Sequence, residues 1–385
     1  MTTYNLDETS FPLYGIQAIN ASMFVVAGGG GSAKTGVKNA VRVYKLVQNG
    51  KSYKADTICE VETGSRAVMN LHLSPSRTVL AIGMDHLCQF YNIKCIEADG
   101  KESLSLTATK SVDTVPVARG DDDGEYQKCV KFTPDQKHVI TAASDGSCKI
   151  FKYPSLEEKF HIKKAHSDEI DEIDVHPNSK LFVSVSKESS AGLWRISDGK
   201  KELELPFSLD KKDEDFYRFR NCRFVESKDS DRVYLFSTNI PRKYSKGNPV
   251  NCLVKWNTNK WIPEQTVFIK HTLSALNASG NGRYVGVGTA DGSVLIYISW
   301  NMRHLKTISG VHDIFVTGLS FIPENKELCE SMKMDAGILS CSIDNKCQVT
   351  LVRSRMEFSF SVLFFFFVLV VMVIFNWITY FDVEF

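Results

Sequence analysis

This sequence predicts an all-β protein that ends in one transmembrane helix, and three observations predict it. Short apolar runs punctuated by Pro, Gly and Asp-Gly turns fill the chain as far as Arg353, one block of such runs recurs, and residues 358–381 carry no charge. The 385 residues suffice for one large repeat domain or two ordinary ones. Hydrophobic residues at 43% against 24% charged ones describe a folded chain. Lys and Arg number 46 against 45 Asp and Glu, a formal charge of +1, whereas a protein that bound nucleic acid by neutralising phosphates would be far more basic.

The recurring block is a strand, a turn with Pro or Gly, a second strand, a tight turn and a third strand. It appears at residues 69–93, 130–151, 173–196 and 273–297, with Asp145-Gly146 and Asp291-Gly292 as two-residue hairpin signals between apolar runs. One such block buries little alone, so neighbours must stack or close into a ring. About 353 residues in blocks of roughly 50 make seven blades of a β-propeller. The least regular lies between Phe216 and Phe268, and the last, Val316 to Val352, lacks an outer strand that the segment near Thr3 to Leu6 would supply. A solenoid would instead leave strand edges open. The expected fold is therefore a seven-bladed WD-repeat-like β-propeller, although the Gly-His and Trp-Asp signatures are degenerate: Trp194 takes the usual Trp place, yet Arg195 follows it.

After the propeller (1–353) and a juxtamembrane linker (354–357), residues 358–381 are expected to cross the membrane. About 20 helical residues span a ~30 Å hydrocarbon core, and Trp377 and Tyr380 stand near the far end, where interfacial aromatics belong. The competing reading, a buried core helix, seldom has more than ~14 consecutive apolar residues. Arg353 and Arg355 precede the span and only Asp382 and Glu384 follow it. The positive-inside rule then leaves 1–353 in the cytosol and 382–385 as a short lumenal tail. The N-terminus has neither a basic nor an apolar signal-peptide region. Ten cysteines without a C-x-x-C pair or zinc spacing read as free thiols in a reducing compartment, where the sequons at Asn20 and Asn277 would stay bare.

One segment departs from the repeat. Apolar residues 23–27 run into Gly28-Gly29-Gly30-Gly31-Ser32-Ala33-Lys34-Thr35-Gly36-Val37-Lys38-Asn39, and a strand follows; about a dozen residues replace a tight turn. Residues 28–35 nearly spell a phosphate-binding loop. Ala33 stands in place of its second glycine, however, and the loop leads into alternating Val41 and Val43 rather than a helix N-terminus. A disordered glycine loop is the plainest alternative. In a third reading the glycines let backbone carbonyls converge on a monovalent cation, which stiffens the loop and presents Lys34, Lys38 and Asn39 to a protein partner.

The start Phe11-Pro12-Leu13-Tyr14-Gly15, the run Ala27-Gly28-Gly29-Gly30-Gly31 and the close Gly36-Val37-Lys38-Asn39 resemble the prolactin regulatory element-binding protein family. These are endoplasmic reticulum exchange factors for the small GTPase that begins COPII coat assembly. The resemblance covers the whole chain in architecture, and its specificity lies in the first 46 residues. It implies a guanine-nucleotide exchange factor on the endoplasmic reticulum membrane that acts by differential binding, without covalent chemistry. It also implies potassium in the glycine loop, with Gly28, Gly29, Gly30, Gly31, Gly36 and Asn39 as candidate ligands. By position Asn39 is the exchange-loop asparagine, with Lys34 and Lys38 beside it. The alternative is a tail-anchored propeller that scaffolds other proteins without exchange activity.

Other features weigh less. Asp121-Asp122-Asp123 reads as a solvated loop more readily than as a metal or partner site, and residues 211–215 as a surface loop of mixed charge. The nine histidines spell no metalloprotease or triad-like signature; His72, His138 and His176 are expected to satisfy local hydrogen bonds.

Overall fold

The computed structural model describes residues 2–33, 36–50, 52–98, 101–117, 124–205, 207, 217–227, 232–242, 250–325, 329–330, 334–353 and 360–381. Seven antiparallel sheets of four strands make up the propeller. Six are built from consecutive strands. The seventh joins the N-terminal strand Thr2–Glu8 to the three last strands, with Thr2 opposite Leu351 and Glu8 opposite Lys346. This is the closure expected for the short last blade. It covers the edge of the strand Lys346–Arg353 and makes the first and last blades covalently continuous, which closes the ring.

The irregular stretch is an ordinary fifth blade, with strands Tyr217–Ser227, Arg232–Pro241, Asn251–Asn257 and Ile262–Ile269. Trp256 is fully buried there, stacked on Phe219 with ring centroids 5.9 Å apart, and its Nε1 donates to Ser237 Oγ at 2.9 Å. The hydrophobic clusters lie mostly between blades. One joins Phe24 and Tyr44 of blade one to Leu339 and Val349 of blade seven; another joins Val25 and Val43 to Leu80 and Ile82 of blade two. A strand buried on both faces loses the polar alternation, which is why Met23–Gly29 and Tyr284–Thr289 read as unbroken small or apolar runs.

Two faces follow from the strand order. In blade seven Val316 pairs with Ser342 at one end, and Met334 pairs with Arg353 at the other. The first end is the upper face, where each innermost strand begins and each second strand turns into the third. The lower face holds the remaining turns, and there the chain leaves the propeller at Arg353. The glycine loop opens on the upper face.

Beyond the propeller a helix runs from Phe360 to Phe381, against 358–381 expected. Its side chains are described only from Phe364 to Asn376, and all but Val368 there are exposed. Among the described residues no helix is long and apolar enough to cross a membrane. The linker 354–357, the tail 382–385, Asp121 to Asp123 and residues 211–215 lie outside the described residues.

Candidate functional site

The second strand of blade one, Met23–Gly29, carries two of the four glycines within the ladder: Gly28 pairs with Ala40 and Gly29 with Asn39. The loop proper is therefore 30–38, and it leads into the strand Asn39–Asn49. Among the described residues of the loop no helix N-terminus is present to cradle a phosphate. Gly28 is required by crowding, since a Cβ there would lie 1.9 Å from the Pro12 carbonyl, which accepts the Gly29 N–H at 3.0 Å. Gly29 is required twice over. Its φ is +143°, and a Cβ would meet Asn39 Oδ1 at 2.1 Å.

Asn39 is buried beneath the loop rather than displayed on it. Its Oδ1 accepts the Gly31 N–H at 2.8 Å, and its Nδ2 donates to the carbonyls of Gly31 at 3.0 Å and Gly64 at 2.9 Å. Its own carbonyl accepts the Thr63 N–H at 2.9 Å. One side chain thus pins the start of the glycine loop to the turn that leaves blade one. Gly31 and Gly36, with φ +76° and +79° and open space around them, are free to aim the loop outward.

Lys38 is exposed, and its Nζ meets Glu62 at 2.8 Å and Glu60 at 3.7 Å; the hydrogen bond to Glu62 raises its pKa. Arg42, next along the same strand face, contacts Glu60 and Asp7 and lies over the Phe11 ring at 5.4 Å. The loop base is thereby tied to the ring-closing strand. Lys34 lies outside the described residues. The structure gathers Gly28, Gly29, Gly31 and Asn39 into one cluster with Gly30 between two of its members, leaves Gly36 further along the loop, and places Lys38 beside it.

Three exposed apolar side chains flank this loop on the upper face: Met69, just before the innermost strand of blade two, and Ile314 and Phe315, just before that of blade seven. Sequence reading missed them, because the flanks of a strand carry no local pattern that separates a partner-facing apolar residue from a core one. Together they give the upper face an apolar rim on the two blades that neighbour the loop.

A cavity of about 520 Å³ lined by all seven innermost strands is the central channel, and its charges are committed. Arg218 and Arg220 reach Asp171 at 3.0 and 2.7 Å, while Arg223 bridges Glu172 at 2.6 Å and Asp174 at 3.1 Å. Burial opposes the charge on Arg223, yet Glu172 and Asp174 overcome it and its pKa is raised. With Lys131 on Asp174 at 3.4 Å, blades three, four and five are laced along the channel. No sequence motif announced these pairs, which join residues about fifty positions apart.

The histidines need a correction. His166 Nδ1 lies 2.5 Å from Glu188 and its Nε2 2.6 Å from Ser184 Oγ, the outline of a Ser-His-Glu triad that sequence spacing does not spell. Ser184 is fully buried and also accepts Trp194 Nε1 at 2.8 Å, so no substrate reaches it. His312 repeats the arrangement with Asp344 and Ser340. These are girders: the Asp-Gly turn carbonyls of Gly146 and Gly292 accept the N–H of His166 and His312, both at 3.0 Å. As expected, His176 accepts a local backbone N–H through Nδ1, whereas His72 Nδ1 accepts the Phe132 N–H at 3.1 Å from blade three, sixty positions away. His138 departs from this: its Nε2 meets Lys159 Nζ at 3.2 Å, but its buried Nδ1 has no partner among the described residues. Asn277 Nδ2, the nitrogen a glycan would need, donates to the Leu319 carbonyl at 2.6 Å.

Comparison with known proteins fits this geometry. The WD domain, G-beta repeat family matches residues 119–152, a stretch that includes the first three strands of blade three. Guanine nucleotide-exchange factor SEC12 of Rattus norvegicus is 29% identical, and that of Mus musculus 28%; each alignment covers 91% of this chain and 91% of the relative. SEC12-like protein 2 of Arabidopsis thaliana is 22% identical over 84% of this chain and 74% of its own. With likeness running almost from end to end, the chain is identified as a homologue of the SEC12 guanine nucleotide-exchange factors.

Proposed function

We propose that this chain is a guanine-nucleotide exchange factor for the small GTPase that initiates COPII coat assembly at the endoplasmic reticulum. The observation that carries the reading is the near full-length likeness to exchange factors, joined to a pinned glycine loop among exposed apolar side chains. A GTPase holding its nucleotide at nanomolar affinity stores roughly 12 kcal/mol in that grip. A factor that binds loaded and empty forms equally shifts nothing, so this one must prefer the empty form. Met69, Ile314 and Phe315 dock the GTPase switch region, and the loop held by Asn39 intrudes on its phosphate and magnesium site. Asn39 is then a positioning residue, and Lys38, with Lys34, supplies positive charge at the loop. By reciprocity, nucleotide expels the factor.

Potassium, implied by the resemblance, suits part of this loop. The carbonyls of Gly30 and Gly36 are neutral oxygen donors on a backbone that its glycines allow to turn, whereas that of Gly31 already accepts Asn39 Nδ2. Gly28 and Gly29 are held in the strand ladder, and Asn39 Oδ1 is occupied by the Gly31 N–H. When bound, the ion would stiffen the loop; Asn39 holds the loop's start by its own hydrogen bonds.

The helix Phe360–Phe381 anchors the protein as a single span, with the propeller in the cytosol. The test is release of a fluorescent GDP from the purified GTPase with the full chain in nanodiscs. Acceleration that excess GTP ends is expected. No acceleration, or a complex that excess GTP leaves intact, would overturn the scheme, and binding without acceleration would leave a scaffold.

A further inference from the structure

The lower face, from which the chain departs toward its helix, carries an exposed patch that the exchange reading does not use. Trp300, in the turn after the third strand of blade six, is 65% exposed, and Ile262, at the corresponding turn of blade five, is 48% exposed. The two turns are joined: Lys255 Nζ donates to the Trp300 carbonyl at 2.8 Å and Gln265 Nε2 to that of Asn301 at 3.0 Å. Trp300 is therefore held out on a braced turn. Beside it on the same face stand the exposed cations Lys260, in the blade-five turn, and Arg303, in its own turn, which make no ion pair among the described residues.

The helix begins at Phe360, so residues 354–359 link it to Arg353 and reach no more than ~25 Å when fully extended. A span attached there keeps the lower face within that distance of the bilayer. Tryptophan favours the headgroup level, where its ring is dehydrated and its N–H stays wet. Cations beside it gain from an anionic leaflet.

We propose that the lower face of blades five and six rests on the anionic lipid surface of the membrane, with Trp300 inserted at headgroup depth and Lys260 and Arg303 over the lipid charges. This rests on the membrane reading of the helix. The contact fixes the tilt of the propeller and turns the upper face, with its glycine loop, away from the lipid. A tether alone would leave the propeller free to roll.

The test uses the full chain in nanodiscs containing brominated lipid, with either a neutral or a 30:70 phosphatidylserine:phosphatidylcholine composition, ~30% being anionic. Trp377, in the helix, reports the span, and the difference between the native chain and Trp300→Phe reports Trp300. Quenching of the Trp300 component is expected with anionic lipid. It should weaken at least twofold in neutral lipid and in Lys260→Glu/Arg303→Glu. Quenching of Trp377 together with no Trp300 difference would overturn the lipid contact while keeping the anchor. An unquenched Trp377 would overturn the anchor and, with it, this proposal.

Discussion

The side chain of Asn39 grips the backbone of Gly31 on both sides, accepting its N–H at 2.8 Å and donating to its carbonyl at 3.0 Å. The pair works like one rung of a sheet, made by a side chain where the ladder has run out. Asn39→Ala removes these bonds and the one to Gly64 from a buried position, at a cost of about 1–3 kcal/mol, while the propeller still closes. Amide hydrogen exchange at Gly31 should quicken, and accelerated GDP release should fall at least ~10-fold, the equivalent of 1.4 kcal/mol. Native exchange activity beside a loosened Gly31 would show that loop order is not what drives release.

Glycines within the loop should not be equivalent. Gly29→Ala meets both a φ of +143° and Asn39 Oδ1, so it must displace the asparagine and reproduce the Asn39→Ala defect. Gly31→Ala has open space and suffers only its φ of +76°, roughly 1–2 kcal/mol of local strain. Comparing GDP release for the two variants separates crowding from conformation; equal defects would refute the distinction.

Lys38 sits on the surface opposite Glu60 and Glu62, so Lys38→Ala should leave the melting temperature unchanged. If its charge guides the GTPase, association slows at low ionic strength, and the difference fades as salt shortens the Debye length. Stopped-flow association across a salt series reads this directly.

In the channel, Arg223→Leu strands Glu172 and Asp174 without their bidentate partner. The expected destabilisation is about 3 kcal/mol, measured by urea unfolding, because breaking a buried pair costs more than the pair is worth. Phe224 N–H and Lys131 still serve Asp174, which keeps the loss below collapse of the fold.

Acid should destabilise the propeller in two stages. Burial holds His72, His166 and His312 below 6.5, so each is neutral in the fold while the unfolded chain takes up protons as pH drops past 6.5; stability present above that value declines below it. Burial works against the charge of Glu169 and Glu188, but Lys128 and Lys187 around the first, and Ser167, Ser190 and His166 around the second, bring both down to about 2. Their contribution is complete above 4.5 and is lost from there toward 2. Chemical denaturation from pH 8 to pH 3 should therefore show decline beginning near 6.5 and steepening below 4.5. Flat stability between pH 7 and 5 would contradict the neutral histidines.

Much of this protein could be read along the chain. Strand blocks, Asp-Gly turns and the missing outer strand near Val316 follow from short-range rules of side-chain alternation and turn chemistry, and they sufficed for seven blades closed by Thr2–Glu8. The glycine loop was conspicuous because it broke that rhythm. Its inner workings were not. That Asn39 faces inward depends on Gly64, twenty-five positions away, and on Gly29, where a Cβ would meet its Oδ1. The Arg223 bridge to Glu172 likewise joins residues that meet only after blades pack, and even the Ser184–His166–Glu188 girder, within about twenty residues, needs blade four folded to bring its members together. Local pattern is set by what one strand needs to bury, whereas a hydrogen-bond partner is chosen by whichever group the closed ring carries to within 3 Å.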